Sequence, residues 1–350
     1  SLERFHPWIF SGAVHHIEGE PEEGEVVRVL TSEGDFIAVG HWQIGSIAVR
    51  VLDFEDKAVD GAYWEDRLRV AYDLRCAIGV AGHEKENDTY RLVHGEGDCL
   101  PGLVVDVYGK TAVMQAHSVG MHVARHEIAR ALVAVTGGTV ENVYYKSETT
   151  LPFKAELGQE NGFIVGGSTE NVAVENGLKF HIDWLKGQKT GFFVDQRDNR
   201  SLLEHYAHGR AVLNMFCYTG GFSVYAMRGG ATLVHSVDSS AKAIDLTRAN
   251  VELNPPAFAK HKDALRQALK GYARLNAKAF SKIKPGGILF TFSCSQVVSK
   301  DHFRTAVFTA AAQSGRRVRI LHQLHQPADH PVNIYHPEGE YLKGLVLYVE

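Results

Sequence analysis

Two places in this chain combine residue types and spacing that can do chemistry. The first is Val212-Leu213-Asn214-Met215-Phe216-Cys217-Tyr218-Thr219-Gly220-Gly221-Phe222-Ser223, with Asp238 closing the later apolar run Leu233-Val234-His235-Ser236-Val237. It reads as strand, glycine turn, helix, strand and acid. That order suits a nucleoside: glycines let backbone approach a ligand over a helix N-terminus, and an acid about 20 residues on can accept hydrogen bonds from two ribose hydroxyls. The turn is not G-x-G-x-x-G. No run of free amides is laid out for a pyrophosphate, and Phe216 and Tyr218 occupy the crest beside Gly220. This tilts the reading from NAD toward S-adenosylmethionine, which carries ribose and adenine without phosphate. The plainer alternative is an ordinary strand-turn-helix with a surface Asp. The second place is Cys294, which ends the apolar run Gly287-Ile288-Leu289-Phe290-Thr291-Phe292 between Ser293 and Ser295. Open α/β sheets bind ligands at the carboxyl ends of their strands, and small polar neighbours leave a thiol accessible.

The elements that must position these residues alternate in type. Short β-type runs at 25–30, 36–40 and 46–51 and a helix over about 63–79 suggest a small β-rich unit at residues 1–72. A central α+β unit, residues 73–170, is expected from strands at 90–93, 103–107, 111–116, 141–145 and 162–165 and a helix at about 120–135. Further strands are read at 172–175 and 178–183. From about 184 the chain alternates strand and helix, as a mostly parallel sheet covered on both faces requires. The fold class is therefore α/β, with residues 171–350 as a Rossmann-like domain. After the helix at 240–253, Asn254 runs straight into Pro255-Pro256-Ala257-Phe258. A doubly wound sheet needs a third strand, its helix and a fourth strand before that point. A stretch of roughly 30–45 residues, the size of a βαβ unit, is expected to be missing between residues 254 and 255.

Composition excludes several classes. No apolar run approaches the roughly 20 residues of a membrane span. Cys76, Cys99, Cys217 and Cys294 form no C-x-x-C pair, so neither a zinc site nor a disulfide framework is indicated, and a reducing cytoplasm is the expected compartment. The 19 histidines are scattered and no metal site is expected from them. A net charge of −4 argues against indiscriminate coating of nucleic acid, yet the charge is uneven. Residues 1–50 hold Arg4, Arg28 and Arg50 against eight acids, whereas Lys262, Arg266, Lys270, Arg274, Lys278 and Lys282 recur every fourth residue. Such a row is a slanting ridge that can follow a phosphate backbone, or simply a solvated helix face.

With these residues in view, the chain resembles the RlmI-type ribosomal RNA large-subunit methyltransferases. The match runs through His6-Pro7-Trp8-Ile9-Phe10-Ser11-Gly12, Arg91-Leu92-Val93-His94-Gly95-Glu96-Gly97-Asp98 and Leu100-Pro101-Gly102-Leu103-Val104-Val105-Asp106. It continues in Gly187-Gln188-Lys189-Thr190-Gly191-Phe192-Phe193-Val194-Asp195-Gln196-Arg197-Asp198-Asn199-Arg200, the turn above, Thr291-Phe292-Ser293-Cys294-Ser295 and His336-Pro337-Glu338-Gly339-Glu340-Tyr341-Leu342-Lys343-Gly344. The resemblance implies an N-terminal PUA domain, a central α/β domain and a class I methyltransferase domain. It also implies methylation of cytosine C5 in large-subunit (23S) ribosomal RNA with S-adenosylmethionine. Cys294 would then be the nucleophile. Gln188, Thr190, Phe192, Phe193 and Gln196 would line the cofactor with Phe216, Tyr218, Gly220 and Asp238, although one of the two phenylalanines should belong to the core. Pro255, Pro256 and Phe258 match the base-binding element, which in the family begins with an Asp where this chain has Asn254; Lys262, Arg266 and Lys270 would bind RNA. Cys217 reads as packing. Nitrogen methylation without a covalent intermediate, a noncatalytic RNA-binding assembly factor and, more distantly, an NAD oxidoreductase stay open. A homodimer is possible.

Overall fold

The computed structural model describes residues 5–82, 86–152, 157, 161–254, 272–296 and 298–350. The chain divides into two compact units: residues 1–195 with 328–339, and residues 196–327 with 340–350.

The first unit carries β1 (Trp8–Phe10), β2 (Val26–Leu30), β3 (Phe36–Trp42) and β4 (Ile47–Asp53) in an antiparallel sheet of order β1-β4-β3-β2. β1 is too short to be read from its sequence, and it pairs with β4 through Trp8 and Arg50. α1 spans Gly61–Ala77; Asp60 caps it by accepting from the Tyr63 amide at 3.0 Å, which is why it begins two residues before the expected position. A second sheet, β5 (Thr89–His94), β6 (Leu103–Tyr108), β7 (Thr111–Ala116), β8 (Asn142–Tyr145) and β9 (Gly162–Val165), runs in chain order and is antiparallel except between β7 and β8. The helix expected at 120–135 is two pieces, α2 (Val119–Val123) and α3 (Arg125–Val135), divided at Ala124. α1 and α3 bury Trp64, Leu68, Ile128 and Leu132 against Leu92, Val105 and Met114 of the sheet. β10 (Val172–Glu175) and β11 (Leu178–His181) form a hairpin.

Residues 328–339 belong to this unit for a physical reason. Arg75, fully buried on α1, pairs with Asp98 and also donates to the Asp329 carbonyl at 2.9 Å. The Asp329 carboxylate accepts from the Arg91 amide at 3.0 Å. At Gly97 a β-carbon would lie 1.9 Å from the Pro331 carbonyl oxygen, so only glycine admits that approach.

The second unit holds α4 (Arg197–Ala207), β12 (Ala211–Met215), α5 (Gly221–Arg228), β13 (Leu233–Val237), α6 (Ala241–Leu253), α7 (Tyr272–Lys282), β14 (Gly287–Ser293), α8 (Lys300–Ser314), β15 (Val318–Leu324) and β16 (Lys343–Val349). β12 and β13 pair in parallel, while β14, β16 and β15 form an antiparallel sheet with β16 in the centre. Among the described residues these are two sheets, and no strand lies between β13 and β14. The outer face of β12 is left bare: Leu213 is 60% and Met215 44% exposed, unusual for an apolar strand of a doubly wound domain. The 254–255 junction lies outside the described residues, as does the rest of 255–271.

Candidate active site

β12 ends in a turn held by three left-handed residues, Phe216 (φ 59°), Tyr218 (φ 49°) and Gly220 (φ 77°). Left-handed backbone is costly for the two aromatic residues, and the surrounding bonds hold it in place. The Tyr218 amide donates to Asp238 Oδ2 at 2.9 Å, and Thr247 donates to the Tyr218 carbonyl at 3.0 Å. Asn250, fully buried, donates to the Thr219 carbonyl at 2.8 Å. Gly220 is required twice over, by its φ and because a β-carbon would meet Thr247 Cγ2 at 2.5 Å. Phe216 is half exposed at the crest.

Asp238 follows β13, half-buried, where the sequence placed it. Its carboxylate accepts from two amides, Tyr218 on one oxygen and Ser240 on the other, each at 2.9 Å. Each oxygen retains a lone pair for a hydroxyl. Beneath the turn Asn214, Ser223 and Ser236 form a buried hydroxyl-amide chain, with Ser223 and Ser236 at 2.7 Å. Cys217 is buried with its sulfur 3.7 Å from the Thr247 hydroxyl, and burial raises its thiol pKa, the state of a packing residue.

Cys294 is exposed immediately beyond β14. Tyr272 on α7 accepts from the Ser293 hydroxyl at 3.0 Å. On the other side Lys343, opposite Ser293 in the β14–β16 register, donates to the Ser295 carbonyl at 2.6 Å and to that of Val298. Desolvation lowers the Lys343 pKa, with the Cys294 thiol opposing that shift. Sequence reasoning missed Lys343; nothing in its spacing shows that its ammonium would fasten the loop after Cys294. α5 reaches β14 through Phe222 and Phe292, whose ring centres are 5.7 Å apart, so the glycine turn and the cysteine strand share one unit.

The remaining expected residues fall elsewhere. Gln188, Thr190, Phe192 and Phe193 lie in the first unit, Gln196 in the second. The buried Thr190 hydroxyl donates to Asp106 at 2.6 Å and meets the Tyr108 hydroxyl at 2.9 Å, so its polar group is already engaged. Phe192 is the core member of its pair, 5.1 Å from Phe180, while Phe193 is half-buried and Gln188 exposed. Gln196 accepts from Asn199 at 2.9 Å. Pro255, Pro256, Phe258, Lys262, Arg266 and Lys270 lie outside the described residues. Arg274, Lys278 and Lys282 of the same row are exposed along α7.

A glycine turn over a helix N-terminus followed by an acid after the next strand, in one unit with the β14-β16-β15 sheet, fits one class of protein, the S-adenosylmethionine-dependent methyltransferases. The profile of that family matches residues 90–327, and that of the PUA-like domain matches residues 1–54. The chain belongs to the ribosomal RNA large subunit methyltransferase I family. It is 38% identical to the protein of that name from Tolumonas auensis over 391 aligned positions, covering 99% of this chain and 96% of the relative. It is 37% identical to the Aeromonas hydrophila protein of the same name over 390 positions, with the same coverage. With 391 aligned positions against 350 residues, at least 41 positions of the first alignment carry no residue of this chain. In fold it is similar to a Streptococcus mutans chain assigned to the S-adenosylmethionine-dependent methyltransferases (TM-score 0.84, 20% identity, 99% and 96% coverage). A second solved methyltransferase, complexed with SAH, is similar at TM-score 0.85, 21% identity, and 99% and 97% coverage. The cofactor is S-adenosylmethionine. Among the described residues no helix is long and apolar enough to cross a membrane.

Proposed function

We propose that this protein methylates C5 of a cytosine in large-subunit ribosomal RNA, with Cys294 as the covalent nucleophile. The observation that carries the reading is an exposed thiol at the carboxyl end of β14, in a loop pinned by Lys343, within the unit that holds the glycine turn. Cytosine C5 is a poor nucleophile. Addition of the Cys294 thiolate to C6 makes C5 enamine-like; C5 then takes the methyl group, loses its proton, and expels the thiolate to restore the ring. Bound S-adenosylmethionine supplies that methyl group from its sulfonium centre. Asp238 holds the ribose, Phe216 and Tyr218 flank the adenosine, and Gln196 of the same unit lines the cofactor. The basic row Lys262, Arg266, Lys270, Arg274, Lys278 and Lys282 meets RNA phosphates, and the cytoplasm is the compartment of that substrate.

The same reading includes three domains, residues 1–72, 73–170 and 171–350, and a segment absent from this sequence between Asn254 and Pro255. The bare face of β12, the separation of the two sheets and the alignments that outrun the chain all support that absence. A strand inserted between β12 and β14 would unite the sheets and bring the Asp that normally precedes the prolines. Sequencing the transcript across codons 254 and 255 tests this point; an uninterrupted match to the 350 residues removes it. For the chemistry, RNA carrying 5-fluorocytosine has no C5 proton to lose and should be trapped on the enzyme encoded by the full transcript. Cys294→Ser should form no adduct while still binding the cofactor. Turnover by Cys294→Ser would instead establish methylation of a ring nitrogen or exocyclic amine.

A further inference from the structure

The first unit gathers three side chains that nothing in the methyl-transfer reading uses: His6, His336 and Glu338. Each offers one ligand atom, and the three atoms lie within 4.8 Å of one another. They come from opposite ends of the chain, His6 just before β1 and the other two from the segment 328–339 that returns to the first unit. His336 is only 4% exposed, and neither of its ring nitrogens has a hydrogen-bond partner. A buried imidazole with both nitrogens unmet costs about 1–3 kcal/mol per missing partner, so such groups are rarely left without a ligand, ion or water.

The surroundings prepare the other two ligands. His6 Nδ1 lies 3.2 Å from the Trp8 amide nitrogen and 3.3 Å from the Trp8 carbonyl oxygen; the tautomer that donates from Nδ1 to that carbonyl leaves the Nε2 lone pair to a cation. The Trp8 ring packs on His336 at 4.4 Å, and Trp8 Nε1 donates to Glu96 at 2.9 Å, setting a second carboxylate beside the cluster. Glu338 lies 3.9 Å from His336 Nε2 with its side chain 60% exposed. Ligands on one zinc ion stand no more than about 4 Å apart, each at roughly 2.0–2.2 Å from the metal. The exposed Glu338 carboxylate can take up the difference.

We propose that His6, His336 and Glu338 form a binding site for a borderline transition-metal cation, zinc(II) being the type ion. Two imidazoles and one carboxylate suit zinc, cobalt or nickel; magnesium and calcium prefer all-oxygen shells. A metal here clasps the N-terminal strand to the 328–339 turn and so closes the first unit, a role independent of methyl transfer. The scattered histidines of the sequence conceal it because its ligands are about 330 positions apart.

The test is calorimetric titration of zinc chloride into the chelator-stripped full chain, after iodoacetamide has blocked the exposed thiols Cys76, Cys99 and Cys294. One zinc per chain is expected, with a thermal midpoint that rises on loading. Glu338→Ala, at an exposed position, and His6→Ala, at a half-buried one, should each weaken binding at least about tenfold, with circular dichroism confirming that both fold. Cobalt(II) loaded in place of zinc should show the intense visible bands of a low-coordinate site, abolished in both variants. Failure to take up stoichiometric metal overturns the proposal, and so does uptake that neither variant weakens.

Discussion

Asp238→Ala is the sharpest probe of the cofactor half. The carboxylate does two jobs: it anchors the Tyr218 and Ser240 amides, both at 2.9 Å, and in our proposal it receives the ribose hydroxyls. A hydrogen bond involving a charged group contributes about 1.5–3 kcal/mol. Loss of the ribose bonds alone should therefore weaken binding of S-adenosylhomocysteine by about 10- to 150-fold, since every 1.4 kcal/mol is about tenfold. Loss of the amide anchors acts on the turn itself, because Tyr218 sits at φ 49° and needs its partners. The two effects separate in a double cycle. Affinity is measured by calorimetry for wild type and Asp238→Ala, with S-adenosylhomocysteine and with its 2′,3′-dideoxy analogue. Wild type should discriminate strongly between the ligands and the variant should not. If Asp238→Ala keeps full discrimination, or binds with unchanged affinity, the carboxylate does not read the ribose.

Gly220→Ala should reduce the folded stability of the second unit by about 2 kcal/mol or more, from its positive φ and the 2.5 Å approach to Thr247; chemical denaturation showing less than about 0.5 kcal/mol would contradict this. Charge reversal of Arg266 and Lys270 should lower RNA affinity and flatten its salt dependence by about one unit of slope for each phosphate released; an unaltered slope would make the row a solvated face. Burial, helped by Arg50, holds the His41 pKa at about 4, below its usual 6.5. The unfolded chain then binds a proton that the native one refuses, so stability is complete above about pH 6.5 and falls by about 3 kcal/mol toward pH 4 on this account alone. Urea unfolding of His41→Gln should show a shallower acid slope than wild type, and an identical slope would refute the assignment.

Much of the site is legible along the chain because its chemistry is local. The apolar runs that become β12, β13 and β14, the glycine that a left-handed turn needs, the acid after the second strand and the thiol after β14 are each set by neighbours within one supersecondary unit. The gap proposed at Asn254-Pro255 rests on the same kind of local argument, since a βαβ unit has a minimum length. Other facts depend on which distant segments meet. Nothing near Thr190 announces that its hydroxyl is consumed by Asp106, 84 residues away, nor does Lys343 signal that it fastens the loop of Cys294. The segment 328–339 reads as part of the last domain, yet buried Arg75 and Asp329 draw it into the first unit, where His336 meets His6. Periodicity and propensity act over a few turns of chain, whereas desolvated charges and orphaned imidazoles find their partners only after the core has closed around them.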